Sequence, residues 1–385
     1  MIMCNKLTGK TAFTLVELLV VVAVILMLVA MLLPSIAGAL ESARAARCGM
    51  TLRQFGGGLA AYAAEYDDWI PGANTTGIAA RIAGRTGDVD MLRRVSTPLQ
   101  TYDWITPILR YETELGVTRA ERFKTVLDDF GCPSQRCLRI DQLYGWDKSP
   151  DRDDFGSAEE GPWTEFPPAS YLMPIHFQMW GQAYSTKAVA TLTDPNGGTE
   201  EILADCPPDY LSVKHHGDYQ SRMGRIGRPS RKIAGADGFR YLTDGDIADI
   251  DIIPQANFVE TASHKFGCLS SNGAWWAGSQ AYGVKKNTAN WDGTIVTVSG
   301  NDPEAQGRNM IWSYRHGAVN RVKITSSVYD NEGEINALFF DGHVARLDDR
   351  MSREIEYWYP SGATVTGGPG ANGGLRDCED GYEVP

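Results

Sequence analysis

The chain has 385 residues, with 36 Lys and Arg against 48 Asp and Glu, giving a net charge of −12 at neutral pH. That length supports one large domain or two ordinary ones, so core size is not limiting. The acidic balance, without any basic stripe interleaved with aromatics, argues against nucleic acid as a partner. The 41 Gly, 10 Trp and 16 Tyr predict a loop-rich body containing β-structure.

The first predicted element is an N-terminal helix. Residues 18–33 are apolar without interruption, and 13–33 would form a helix of about 31 Å at ~1.5 Å per residue. That length matches a hydrocarbon core of ~30 Å and predicts one transmembrane span, preceded only by Lys6 and Lys10. A secretory signal peptide would carry a shorter apolar region, of ~7–15 residues, before a small-x-small site such as 36–39 mimics. A buried soluble helix would need a polar face, which sixteen unbroken apolar residues do not leave. Neither alternative explains Glu17. A carboxylate at the edge of such a run costs roughly 2.5–3.5 kcal/mol on an insertion scale, so it calls for a partner or a route to the interface.

The stretch Ala12-Phe13-Thr14-Leu15-Val16-Glu17-Leu18-Leu19 closely resembles the cleavage and methylation motif of type IV prepilins and type II secretion pseudopilins. The resemblance implies a short basic leader, a cut between Ala12 and Phe13 by a prepilin peptidase, and N-methylation of Phe13. Glu17 then becomes the fifth residue of the mature chain, and Pro34 the twenty-second, where many family members carry a helix-kinking proline. One departure is Ala12, since the family usually has Gly before the cut. In family filaments the carboxylate at the Glu17 position pairs with the N-terminal amine of a neighbouring subunit, a role in assembly rather than catalysis. Pairing would relieve the cost of a buried charge and so reward correct docking. Basic residues lie on both sides of the span, Lys6 and Lys10 before it and Arg44, Arg47 and Arg53 after, so charge alone does not orient it. The resemblance implies a cytoplasmic N-terminus, a single pass through the cytoplasmic membrane and an extracytoplasmic body.

Beyond Pro34 the helical pattern resumes, with Leu52, Phe55, Leu59, Tyr62 and Tyr66 on one face. Gly56-Gly57-Gly58 costs roughly 1 kcal/mol per Gly relative to Ala, which predicts either close packing or a bend there. The helix and the acidic turn before Pro71, then Phe130-Gly131-Cys132-Pro133-Ser134, resemble a subgroup of large pseudopilin-like proteins. That subgroup is described by a His, nine residues, then Asp-Gly. Here His316 precedes Asp341-Gly342 by twenty-five residues, with 323–332 read as part of an insertion within 317–335. Between apolar runs, Asp341-Gly342 predicts a two-residue hairpin turn with His343 as a strand residue beside it.

If the leader carrying Cys4 is removed, Cys48, Cys132, Cys137, Cys206, Cys268 and Cys378 remain, allowing 15 pairings in an oxidising compartment. Cys132 and Cys137 form the most local candidate pair, and disulfides or free thiols rank ahead of metal. The acidic run Asp244, Asp246, Asp249 and Asp251 lacks the Gly and terminal Glu of a calcium loop and reads as a solvated turn. Asp237-Gly238 reads as a turn after a strand, His215-His216 as a surface pair, and Trp275, Trp276, Tyr282 and Trp291 as β-core aromatics.

The expected fold is α+β: a long N-terminal helix, its first half transmembrane, packed on an antiparallel sheet with loop-rich insertions across 78–331. The expected segments are a leader 1–12, a membrane half 13–34, an amphipathic half 35–66, a pilin-like body 67–360 and a Gly-rich flexible tail 361–385. The expected function is a structural subunit of a type II secretion pseudopilus or type IV pilus-like filament. Its partners would be prepilin peptidase, other pilin or pseudopilin subunits, the secretion or assembly machinery and lipid, with no cofactor and no enzyme activity. The alternative is a surface-anchored binding protein, for glycans in particular, that uses the export signal without forming filaments. A hydrolase built on His316, Asp341 and His343 ranks third, because no nucleophile motif accompanies them.

Overall fold

The structure is a computed structural model. It describes residues 14–134, 142–144, 149–156, 169–193, 197–207, 213–239, 247–249, 251–252, 268–271, 281–283, 311–317, 333–352, 354–365 and 381–385. The protein is α+β, with a long N-terminal helix and mainly antiparallel sheets. Two compact units divide the chain between Ala43 and Arg44.

Helix α1 (Leu15–Glu65) accounts for the described part of the first unit. A capping box starts it: the Thr14 N–H and hydroxyl both donate to Glu17 Oε2 at 2.8 Å, and Glu17 N–H donates back to Thr14 Oγ1 at 3.2 Å. Leu and Met, strong helix formers, then carry it forward, and it continues through Pro34. Pro34 has no N–H to donate within the helix, and Ser35 Oγ bonds the Leu32 carbonyl at 2.8 Å.

The second unit begins with the rest of α1, whose Cys48, Leu52, Phe55, Leu59 and Tyr62 are buried at the predicted helical spacing. Tyr66 lies just past the helix end and stays exposed, stacked on Tyr62. The glycine run resolves in favour of close packing. A Cβ on Gly56 would stand 2.9 Å from Leu338 Cδ1, and one on Gly58 only 2.6 Å from the Ile108 carbonyl oxygen. After α1 come α2 (Gly77–Thr86), α3 (Val89–Leu92), α4 (Ile105–Leu109) and α5 (Arg119–Lys124), then a single π-turn helix, Thr125–Asp129.

The strands are β1 (Gln142–Tyr144), β2 (Tyr171–Pro174), β3 (Ala188–Thr193), β4 (Thr199–Leu203), β5 (Val213–Lys214), β6 (Ile233–Phe239) and β7 (Ile247–Asp249). They continue with β8 (Ser270–Ser271), β9 (Ala281–Gly283), β10 (Ile311–Tyr314), β11 (His316–Gly317), β12 (Gly333–Phe339), β13 (Val344–Leu347) and β14 (Thr364–Val365). The main sheet runs β11-β12-β6-β10-β9, with β13 on β12 and β2 joining β6 to β8. Strand β12 is buried on both faces. Asn336 and Leu338 face α1, through Asn336 Nδ2 to the Ala45 carbonyl and Leu338 against Gly56. Phe339 points the other way, edge-on to Tyr357 of the short helix Ile355–Trp358. Double-sided burial explains why this strand reads as an almost continuous apolar run.

Several expectations need correction. The β12–β13 turn is wider than two residues, because Phe340 is buried against Phe177 and leaves the ladder; Phe339 N–H bonds the His343 carbonyl at 2.9 Å around it. Gly342 supplies the left-handed residue of that loop at φ +87°. Asp237-Gly238 is not a turn but lies within β6, near its end, paired with β2 and β10. His215 is buried against His176 and Tyr219, while His216 is exposed and pairs with Asp218. The expected tail contributes both its ends to the body: β14 pairs with β5, and Thr364 bridges Glu383. Ala12, Phe13, Cys137, Asp244, Asp246, Trp275, Trp276, Trp291 and Cys378 lie outside the described residues.

Candidate functional site

Two places in the molecule concentrate chemistry. The first is the start of α1. From Leu15 to Leu40 its large apolar side chains are exposed, making it the one described helix long and apolar enough to cross a membrane. Glu17 stands at the head of this surface. Its capping bonds to Thr14 use one oxygen, and a carboxylate has about four acceptor positions, so its capacity is not exhausted.

The second place is buried in the body, where four distant segments converge. Helix α1 supplies Cys48, one turn before Leu52 on the same buried face. The chain leaving the π-turn helix supplies Cys132, held by its N–H bond to Ser170 Oγ at 2.8 Å. Strand β6 supplies Asp237 and β11 supplies His316. Cys48 and Cys132 are joined by a disulfide with Cα atoms 5.2 Å apart, closing a sequence separation of 84. The Cys132–Cys137 pairing expected from proximity is therefore replaced by a long-range one.

His316 Nε2 lies 3.7 Å from Cys132 Sγ and 3.2 Å from Asp237 Oδ2. The backbone N–H of Asn336 donates to the same carboxylate oxygen at 2.7 Å. Asp237 Oδ1 is buried with no hydrogen-bond partner among the described residues. Cys48, Asp237 and His316 are wholly excluded from solvent, and Cys132 nearly so. Around them, the Arg315 guanidinium donates to the Ser170 and Gly238 carbonyls, tying β2's entry to β6. Burial, then the nearby Asp237 carboxylate, push the Tyr171 phenol well above its ordinary value.

This arrangement separates the residues grouped by sequence. His316 pairs with the first part of β12, at Glu334, whereas Asp341 follows that strand's far end and bonds His343 in an exposed turn. His316, Asp341 and His343 therefore do not form one constellation. What the sequence reading missed is Asp237, and its signal was an acid set inside the apolar run 233–239. Chemically, the buried group offers two sulfurs, an imidazole nitrogen and a carboxylate oxygen, all within 4.8 Å of one another. Comparison of the chain with family models, with curated proteins and with solved structures finds no match.

Proposed function

We propose that this chain is a membrane-anchored, pilin-like structural subunit, cut before Phe13, methylated there and assembled into a pseudopilus or type IV pilus-like filament. The observation that carries the reading is Glu17 at the head of an exposed apolar helix, with Pro34 further along the same helix. An apolar surface of that extent needs lipid or neighbouring helices to cover it. A carboxylate at its start rewards a partner that brings a positive charge. In this reading the N-terminus is cytoplasmic and the body extracytoplasmic, in keeping with a buried disulfide, which persists in oxidising compartments. The body acts as cargo or as a contact surface, not as a catalyst.

Glu17 has a local duty as well, closing the capping box with Thr14. Glu17→Gln separates the two, because Gln can still complete a capping box but carries no charge. The processed Glu17→Gln protein should be inserted and cut normally yet fail to enter sheared filaments. Filament entry equal to the parent chain would reduce Glu17 to a capping residue and overturn the assembly role. Intact-mass analysis of the membrane form checks processing directly: a retained leader, or a cut near Ala39, rules it out.

A further inference from the structure

We infer that, in its dithiol form, the body binds one zinc ion through Cys48, Cys132, His316 and Asp237. A disulfide needs neither an imidazole nor a carboxylate beside it. Burying the Asp237 carboxylate costs free energy that an uncharged disulfide does not return and a zinc ion would. The same four side chains make an ordinary zinc donor set of two thiolates, one imidazole and one carboxylate. Zinc bonds of ~2.0–2.3 Å in a tetrahedron place neighbouring donors about 3.3–3.8 Å apart. Cys132 Sγ to His316 Nε2, at 3.7 Å, and His316 Nε2 to Asp237 Oδ2, at 3.2 Å, already lie close to those separations.

The two sulfurs must move apart, and all four donors already lie within 4.8 Å of one another. A dithiol reductant supplies two electrons and two protons, the Cys48–Cys132 bond opens to two thiols, and the reductant leaves as its own disulfide. Zinc then displaces both thiol protons to solvent and takes His316 Nε2, the neutral imidazole shifting its proton from Nε2, where it faces Asp237 Oδ2, to Nδ1. Asn336 N–H on Oδ2 holds the carboxylate's orientation from outside, the kind of support that metal-ligating carboxylates generally have. The segments joined by the disulfide stay joined, through the metal, and the exchange couples redox state to zinc. This inference stands independently of the membrane reading, since all four residues belong to the second unit.

The test uses the full chain in detergent, with zinc sulfate alone as the probe. The oxidised protein should retain no zinc after desalting. Protein reduced anaerobically should retain one zinc per chain, and cobalt in its place should show the ligand-field bands of a tetrahedral site with sulfur charge transfer. Asp237→Asn, which keeps both cysteines, should weaken zinc binding at least about tenfold. A reduced chain that unfolds and is refolded by zinc supports the site equally. A reduced chain that keeps its fold and binds no zinc overturns it, as does one that unfolds and is not restored. Zinc binding unchanged in both Asp237→Asn and His316→Gln overturns it too, because the metal would then sit elsewhere.

Discussion

Arg119 closes a two-pronged ion pair on Asp151, Nε to Oδ2 at 2.7 Å and Nη2 to Oδ1 at 2.8 Å, with neither side chain reaching solvent. Burial alone would raise the Asp151 carboxyl, but the Arg119 hydrogen bonds and charge outweigh it and hold it below the ordinary value. Arg119→Met removes the compensating charge and should cost about 3–5 kcal/mol, read as a lower denaturant midpoint. Arg119→Met with Asp151→Leu should recover much of that loss, since neither charge of the pair then remains buried. With its folded-state value depressed, Asp151 contributes stability above the unfolded carboxylate range, and that contribution disappears as pH falls through the folded value.

A second acid response comes from His176 and His215, packed edge to face in the core. Burial pushes His176 down to about 3, and burial together with its neighbour His176 drives His215 well below its usual value. Both are therefore neutral in the folded state below pH 6.5, while the unfolded chain takes up protons there. Stability from this pair is present above pH 6.5 and is lost as pH falls below it, at up to about 2.7 kcal/mol per pH unit. Thermal melts between pH 7 and pH 5 should show the decline. His176→Phe should roughly halve the slope, whatever it does to the melting temperature at pH 7.

The glycine run in α1 gives opposite outcomes at adjacent positions. Gly58→Ala would meet the Ile108 backbone at 2.6 Å and should destabilise by about 1–3 kcal/mol. Gly57→Ala meets nothing closer than Glu112 Oε1 at 3.5 Å, so helix propensity should make it stabilising by about 0.5–1 kcal/mol. Chemical denaturation of the two variants side by side tests the pair.

Cys132→Ser opens a covalent loop of 84 residues' separation. In metal-free buffer it should lose about 2–4 kcal/mol, the range for disulfides of this kind, read from the urea midpoint. Cys206→Ser, at a half-buried cysteine outside the disulfide, should leave that midpoint nearly unchanged.

These contrasts mark what could be read from the chain beforehand. Leu52, Phe55, Leu59 and Tyr62 were legible because burial on one helix face leaves a periodic trace in the sequence. The apolar run of α1 was legible for the opposite reason, the absence of any polar face. Asp237 was not, since an Asp-Gly pair has strong turn chemistry and only the pairing of β6 with β2, β10 and β12 overrides it. His215 was misplaced because nothing local signals the His176 ring that packs against it. Cysteine spacing favoured Cys137 for Cys132, yet the fold brings Cys48 to it from α1. In each case the decisive contact is distant in sequence, where local pattern carries no information.

The bond from Asn336 to the Ala45 carbonyl spans 291 residues, and Gly56 rests on the same strand. Helix α1 thus leaves the ribosome long before the strand that covers part of its apolar face. The face also packs on Trp104, Ile108 and Tyr171, but until β12 emerges the part around Ala45 and Gly56 lacks its native partner. Closure of that contact is a long-range event, which slows folding and prolongs exposure to aggregation. A chain built this way gains from being held unfolded until that strand is available.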